Sequence, residues 1–144
     1  MLKNKVLTLI GAGKLGEALL EGLLKQSSIE CKDMRATVGR ESSVDRVKDK
    51  LGVETSTNNK DAIDGADIII LSIKPQKMQL ILEEIKPILK PDQLIISVAA
   101  SISTSYIQNH LGGKNPIVRA MPNTPSVMNA GMTALCGGTY ADKK

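Results

Sequence analysis

The sequence predicts an α/β chain whose strands form a doubly wound, mostly parallel sheet with helices on both faces. Three observations predict it. Short apolar runs alternate with amphipathic segments along the 144 residues, without repeats or a low-complexity linker, which is the pattern of successive strand-helix-strand units with right-handed crossovers. The run Asp67-Ile68-Ile69-Ile70-Leu71-Ser72-Ile73 is apolar almost throughout, as expected of a strand covered on both sides at the centre of a parallel sheet. A glycine-rich turn, Gly11-Ala12-Gly13-Lys14-Leu15-Gly16, joins the first apolar run to the first amphipathic segment.

Residues 5–10 read as the first strand, and they lead directly into the turn, which has the form GxGxxG. That pattern gains meaning from a strand before it and a helix after it. Leu15, Ala18, Leu19, Gly22 and Leu23 recur at helical spacing and predict the buried stripe of the first helix. Gly11 can make the tight turn, Gly13 lets a pyrophosphate approach the backbone, and Gly16 lets the helix pack close to the sheet. Free N–H groups and the positive end of the helix dipole then face the phosphates. The expectation is a Rossmann-like dinucleotide-binding domain covering residues 1–144.

The residue ending the second strand, about 20 positions on, distinguishes the dinucleotides. Residues 34–40 fit that strand, and Gly39 and Arg40 stand where an NAD-binding chain would carry a carboxylate. A guanidinium pairs with a 2′-phosphate where a carboxylate repels it. The reading is therefore NADP, with NAD open because Glu41 follows and could reach a ribose hydroxyl if the strand ran one residue longer. The alternative for Arg40 is a solvated surface arginine. Ser42 and Ser43 precede Val44, Val47 and Leu51, so an N-cap is their expected job, with a phosphate contact as the alternative.

The second helix ends at Leu51-Gly52, Val53-Glu54-Thr55 predicts a short third strand, and residues 59–63 predict a brief helix stopped by Gly65. After the fourth strand, Met78, Ile81, Leu82 and Ile85 form one helical stripe that Pro87 and Pro91 punctuate. Lys74-Pro75-Gln76 puts a cation beside a rigid turn, either toward a ribose or nicotinamide or simply at a helix start with Pro at N1. Residues 94–98 form the fifth strand, Ala99-Ala100-Ser101 is small enough for close ring approach or serves as helix entry, and residues 103–111 form a helix closed by Gly112-Gly113. Ser101 or Ser103 is its expected cap. Met78, Met121 and Met128 are expected to pack.

Pro116-Ile117-Val118 begins the last expected strand, which runs into Arg119-Ala120-Met121-Pro122-Asn123-Thr124-Pro125. Pro122 and Pro125 fix φ and lack an N–H, so the ladder is expected to end there. Asn123 and Thr124 would then stand beyond the strand's carboxyl end, on the rim where open α/β sheets bind ligands.

Bulk composition agrees with one domain: 42% of residues are hydrophobic, which is enough for a core at this length. No apolar run approaches the ~18 residues of a membrane-spanning helix, and the apolar start is interrupted at Gly11 and Lys14, so a signal peptide is not expected and a cytosolic location is. Cys31 and Cys136 lie far apart with one histidine, His110, so neither a metal site nor a disulfide framework is expected. The net charge of +4 is dispersed, and Tyr106 and Tyr140 are the only aromatics, which speaks against nucleic-acid binding.

Taken together, GAGKLG after the first strand, Asn59-Lys60-Asp61-Ala62 before an apolar strand, Ile73-Lys74-Pro75-Gln76, Ala99-Ala100 and Arg119 to Pro125 resemble the amino-terminal half of pyrroline-5-carboxylate reductase. The resemblance spans essentially the whole chain, and its IKPQ and RAMPNTP segments are more specific than GxGxxG. It implies reduction of the imino acid pyrroline-5-carboxylate to proline, the last step of proline biosynthesis, with hydride from NAD(P)H delivered to the C=N carbon. It also implies that Gly11, Ala12, Gly13, Lys14 and Leu15 contact the pyrophosphate and Asn59 the adenosine side. Ile73, Lys74, Pro75, Ala99 and Ala100 would line the ribose and nicotinamide, with Asn123 and Thr124 beside the ring. Ser101 departs from the family, which often has glycine there. The resemblance implies that these 144 residues lack the family's carboxyl-terminal helical domain, which forms an interlaced dimer and much of the imino-acid pocket. The resemblance therefore implies a homo-oligomer for the complete protein and little activity for this chain alone. A reductase of another small imine or carbonyl, or a non-catalytic NADP-sensing module, fits the same residues because they include no evident catalytic acid.

Overall fold

The computed structural model of the protein describes residues 2–26, 29–122 and 133–141. In chain order the elements are β1 (Leu7–Ile10), α1 (Lys14–Lys25), β2 (Met34–Thr37), α2 (Val44–Leu51), β3 (Glu54–Ser56), α3 (Asn59–Ile63), β4 (Ile68–Leu71), α4 (Met78–Ile85), β5 (Leu94–Ser97), α5 (Thr104–Leu111), β6 (Ile117–Pro122) and β7 (Thr133–Gly137). The strands form one sheet in the order β3-β2-β1-β4-β5-β6-β7. Neighbours from β3 to β6 are parallel, as in Leu7 opposite Met34 on one side and Ile68 on the other. The doubly wound, Rossmann-like α/β sheet expected from the sequence is what the chain forms.

Alternation along the central strands divides the core into two layers. Leu7 and Leu9 of β1 and Ile70 of β4 join Leu20 of α1 and Val47 and Leu51 of α2 on one face. Ile10, Ile69 and Leu71 point the other way, against Ile63 of α3, Met78, Leu82 and Ile85 of α4 and Ile107 of α5. Most of these side chains are fully buried, and each contributes roughly 1.5–3 kcal/mol through removal from water. Asp67 ties the amino ends of the central strands together, accepting from the Val6 N–H at 2.8 Å and from Lys5 Nζ at 2.9 Å. Helix ends follow local chemistry: Ser103 Oγ accepts from the Tyr106 N–H, Asn58 Oδ1 from the Asp61 N–H, and Gly52 and Gly112 close α2 and α5 in the left-handed conformation.

Two expectations need correction. The most buried positions of α1 are Gly16, Glu17 and Leu20, with Leu19, Leu23 and Leu24 packed beside them, while Leu15 and Ala18 are only partly covered. The helix packs closest at Gly16, where the missing side chain permits the approach: an added Cβ would lie 2.6 Å from the Gly11 carbonyl oxygen and 3.0 Å from Leu9 Cδ2. The last expected strand ends at Pro122, the first of its two prolines, but an edge strand with no sequence signature, β7, pairs along its outer side. Pairing of β6 with β5 ends at Arg119, but β6 continues to Pro122 because β7 returns antiparallel along its other edge, with Pro122 opposite Thr133 and Val118 opposite Gly137. Met78 packs as expected, whereas Met121 is 37% exposed. Pro125 and Met128 lie outside the described residues.

Candidate functional site

The sheet order reverses direction between β1 and β4, and open α/β sheets bind ligands outside the carboxyl ends of the strands at such a switch. A cavity of about 400 Å3 lies there, lined by Gly11 to Gly13, by Thr37 to Arg40 with Ser43 and Arg46, by Asn59, and by Ser72 to Lys74 with Lys77 and Ile81. A second hollow of about 320 Å3 is lined by Gly13 to Gly16, Ser72 to Lys74, and Val98 to Ala100. Because both include Gly13, Ser72, Ile73 and Lys74, they form one cleft across the ends of β2, β1, β4 and β5.

The three glycines of the turn have distinct surroundings. Gly11 has φ +92°, and an added Cβ would lie 2.5 Å from the Ser72 carbonyl oxygen, so the turn presses against the end of β4. Gly13 has nothing within 4 Å of an added Cβ and caps α1 without any side-chain hydrogen bond. An anion can therefore approach the first-turn N–H groups of α1 directly. The turn is braced from β2, where the Thr37 carbonyl accepts from the N–H groups of Gly11 and Ala12 at 3.2 and 2.8 Å.

The larger cavity carries four cations, Arg40, Arg46, Lys74 and Lys77, and no carboxylate among its described lining residues. Glu41, the residue that left NAD open, is engaged elsewhere by the Thr57 hydroxyl. Glu17 of α1 is buried behind the turn, with Arg46 Nη2 at 2.7 Å and Lys50 Nζ at 3.0 Å from its two oxygens. The Arg46 guanidinium, helped by Lys50, holds the Glu17 carboxyl below the usual carboxylate range although burial opposes this. Asp67, away from the cleft, is likewise held low by the Val6 N–H and then by Lys5.

The structure brings the sequence-predicted residues Gly11, Ala12, Gly13, Lys14, Leu15, Gly16, Arg40, Asn59, Ile73, Lys74, Ala99 and Ala100 to this cleft. Pro75 is not among its lining residues and instead starts a short 3-10 turn, Pro75–Lys77, ahead of α4. Asn59 is 9% exposed and donates from Nδ2 to Glu84 Oε2 at 3.0 Å, which joins α3 to α4 beside the cavity. Asn123 and Thr124 lie outside the described residues. Ser43 makes no cap hydrogen bond, contrary to expectation, because a 3-10 turn over Glu41–Ser43 leads into α2; it lines the cavity instead. Sequence reading missed Arg46, to which the phase of the helix starting at Val44 could have pointed, and Lys77, which closes the 3-10 turn after Lys74.

Residues 6–101 match the family described as NADP oxidoreductase, coenzyme F420-dependent. A pyrroline-5-carboxylate reductase of Pseudomonas aeruginosa is 34% identical over 126 residues, covering 88% of this chain and 46% of that protein. The solved pyrroline-5-carboxylate reductase of Coxiella burnetii superposes with a TM-score of 0.91 at 34% identity, over 98% of this chain and 52% of that one. A Plasmodium falciparum pyrroline carboxylate reductase, solved with NADP bound, shares the fold at a TM-score of 0.84 and 24% identity, over 98% of this chain and 51% of that one. The chain spans about half the length of the curated relatives it matches. With more than half of its residues inside the family match, this chain belongs to the family described as NADP oxidoreductase, coenzyme F420-dependent, and is related over nearly its whole length to one half of pyrroline-5-carboxylate reductase.

Proposed function

We propose that this chain is the NADP(H)-binding domain of a cytosolic pyrroline-5-carboxylate reductase, an oxidoreductase that reduces the small imino acid 1-pyrroline-5-carboxylate to L-proline. The observation that carries the reading is the cleft at the β1/β4 switch, where an open Gly13 and a helix N-terminus meet four cations with no carboxylate in the described lining. The dinucleotide supplies the hydride when bound. Gly11 shapes the turn, Gly13 admits the pyrophosphate to the N–H groups of α1, and Arg40 faces the adenosine ribose, where a 2′-phosphate would sit. Asn59 borders the adenosine side, while Lys74 and the small pair Ala99-Ala100 border the nicotinamide half. Asn123 and Thr124 follow β6 in the chain and are proposed to face the substrate ring.

Hydride transfer to a protonated imine depends chiefly on holding two rings in near-attack geometry, and a single wall cannot do that. The remaining walls are proposed to come from a helical domain in a homo-oligomer of the complete protein. The purified chain is therefore expected to bind NADPH and to oxidise it very slowly in the presence of pyrroline-5-carboxylate. Calorimetric titration with NADP+ and an absorbance assay of NADPH oxidation test both parts. Failure to bind NADP+ would overturn the nucleotide reading, and turnover by this chain at about 1 s⁻¹ or faster, the ordinary range for enzymes, would overturn the shared-wall reading.

A further inference from the structure

Glu17 stands in the first turn of α1, just beyond the glycines, with a side chain only 8% exposed. A bare carboxylate there would oppose any phosphate approaching the turn. It is instead ion-paired through both oxygens: Arg46 reaches one from α2, and Lys50 reaches the other while also contacting Glu21 at 3.0 Å. Arg46 is 56% exposed and lines the cavity together with Arg40 and Ser43, on the wall formed by the end of β2 and the start of α2. That is the wall against which the adenosine ribose lies in this fold.

A guanidinium has five N–H donors in a rigid fork, and Glu17 engages Arg46 through one terminal nitrogen. Donors remain for a second anion. We propose that Arg46 is a specificity-determining residue for NADP over NAD, a second arm with Arg40 around the 2′-phosphate, and that Glu17 is the positioning residue that holds its guanidinium at the cleft. The proposal rests on the nucleotide reading above. Anchoring by Glu17 restricts a long, flexible side chain at folding, so less rotamer freedom is lost when the nucleotide binds. The phosphate meets a fork held in place at one end and the exposed Arg40 at the other.

Calorimetric titration of the whole chain with NADP+, NAD+ and adenosine 2′,5′-bisphosphate tests it. Arg46→Met is expected to weaken NADP+ and the bisphosphate by about ten- to hundred-fold, the usual cost of removing a hydrogen bond to a charged group, and to leave NAD+ within about twofold. Arg46→Lys, which keeps the charge and loses the fork, should fall between. Glu17→Gln should lower the ratio of NADP+ to NAD+ affinity, with the fold checked by circular dichroism; a purely structural role for Glu17 would leave that ratio unchanged. Equal weakening of both nucleotides by Arg46→Met, or an unchanged ratio, overturns the proposal while the nucleotide reading stands. If the parent chain binds neither nucleotide, the reading itself falls and takes this proposal with it.

Discussion

Gly11 and Gly13 are two residues apart, yet a methyl group added to each would meet opposite surroundings. At Gly11 it would strike the Ser72 carbonyl at 2.5 Å in a backbone with φ +92°, and at Gly13 it would meet nothing within 4 Å. Gly11→Ala is therefore expected to destabilise the chain by about 2–4 kcal/mol, combining backbone strain with overpacking. Gly13→Ala should leave stability within about 0.5 kcal/mol and weaken NADP+ at least about tenfold, because its methyl would occupy the path of the pyrophosphate. Urea denaturation and calorimetric titration of the two variants separate these outcomes. Ser101 presents the reverse case, a side chain at φ +61°, where glycine is at ease. Ser101→Gly relieves left-handed strain of about 1–2 kcal/mol and adds freedom to the unfolded chain worth about 0.4–1 kcal/mol. The net expectation is a gain of about 0.5–1 kcal/mol, read as a higher urea midpoint.

Between elements, the pairing of α1 with α2 through Glu17 makes stability depend on acid. The folded protein holds the Glu17 carboxyl below its ordinary value of 4.5, chiefly through Arg46. A group whose pKa is depressed on folding contributes fully above its unfolded value, and the contribution disappears as pH falls through the folded value. Parent and Glu17→Gln should therefore differ by about 1 kcal/mol near neutrality, a modest figure because Arg46 and Lys50 are half-exposed and screened. The difference should shrink steadily below pH 4.5 in urea melts; a gap that stays constant with pH would rule out the ion-pair account. The same pairing shows what the sequence could carry. The glycines of the turn were legible because their meaning is local, set by a strand on one side and a helix on the other. Arg46 was not, since among Asp45, Lys48, Asp49 and Lys50 it reads as one more residue of a solvated helix face. β7 was missed for a related reason: Thr133-Ala134-Leu135-Cys136-Gly137 has no alternating pattern, is exposed throughout, and becomes a strand only because β6 offers it an edge. Leu15 and Ala18 were placed on the buried stripe because periodicity cannot show that a glycine lets the helix axis come closer.

For the molecule as a whole, two core layers on one sheet leave the cleft as the place where added binding energy can act on the fold. A ligand that binds only the native state at a hundred times its dissociation constant stabilises that state by about 2.7 kcal/mol. NADP+ at that excess should raise the melting temperature by roughly 10 °C for a chain of this size, followed by circular dichroism. Gly13→Ala at the same nucleotide concentration should show a much smaller rise. No shift for the parent at saturating nucleotide would show that the cleft does not take the cofactor in the native chain.

The antiparallel course of β7 also determines where the backbone is heading. β6 arrives at the cofactor rim with Pro122, and β7 starts opposite it at Thr133 but finishes with Gly137 opposite Val118, where the Gly138 N–H donates to the Ile117 carbonyl at 2.7 Å. Five extended residues carry the chain roughly 16 Å down the sheet, away from the rim. Any polypeptide joined after this strand thus sets out from the far end of the sheet. A segment that is to reach the cofactor rim from there has to cover that height of the sheet a second time.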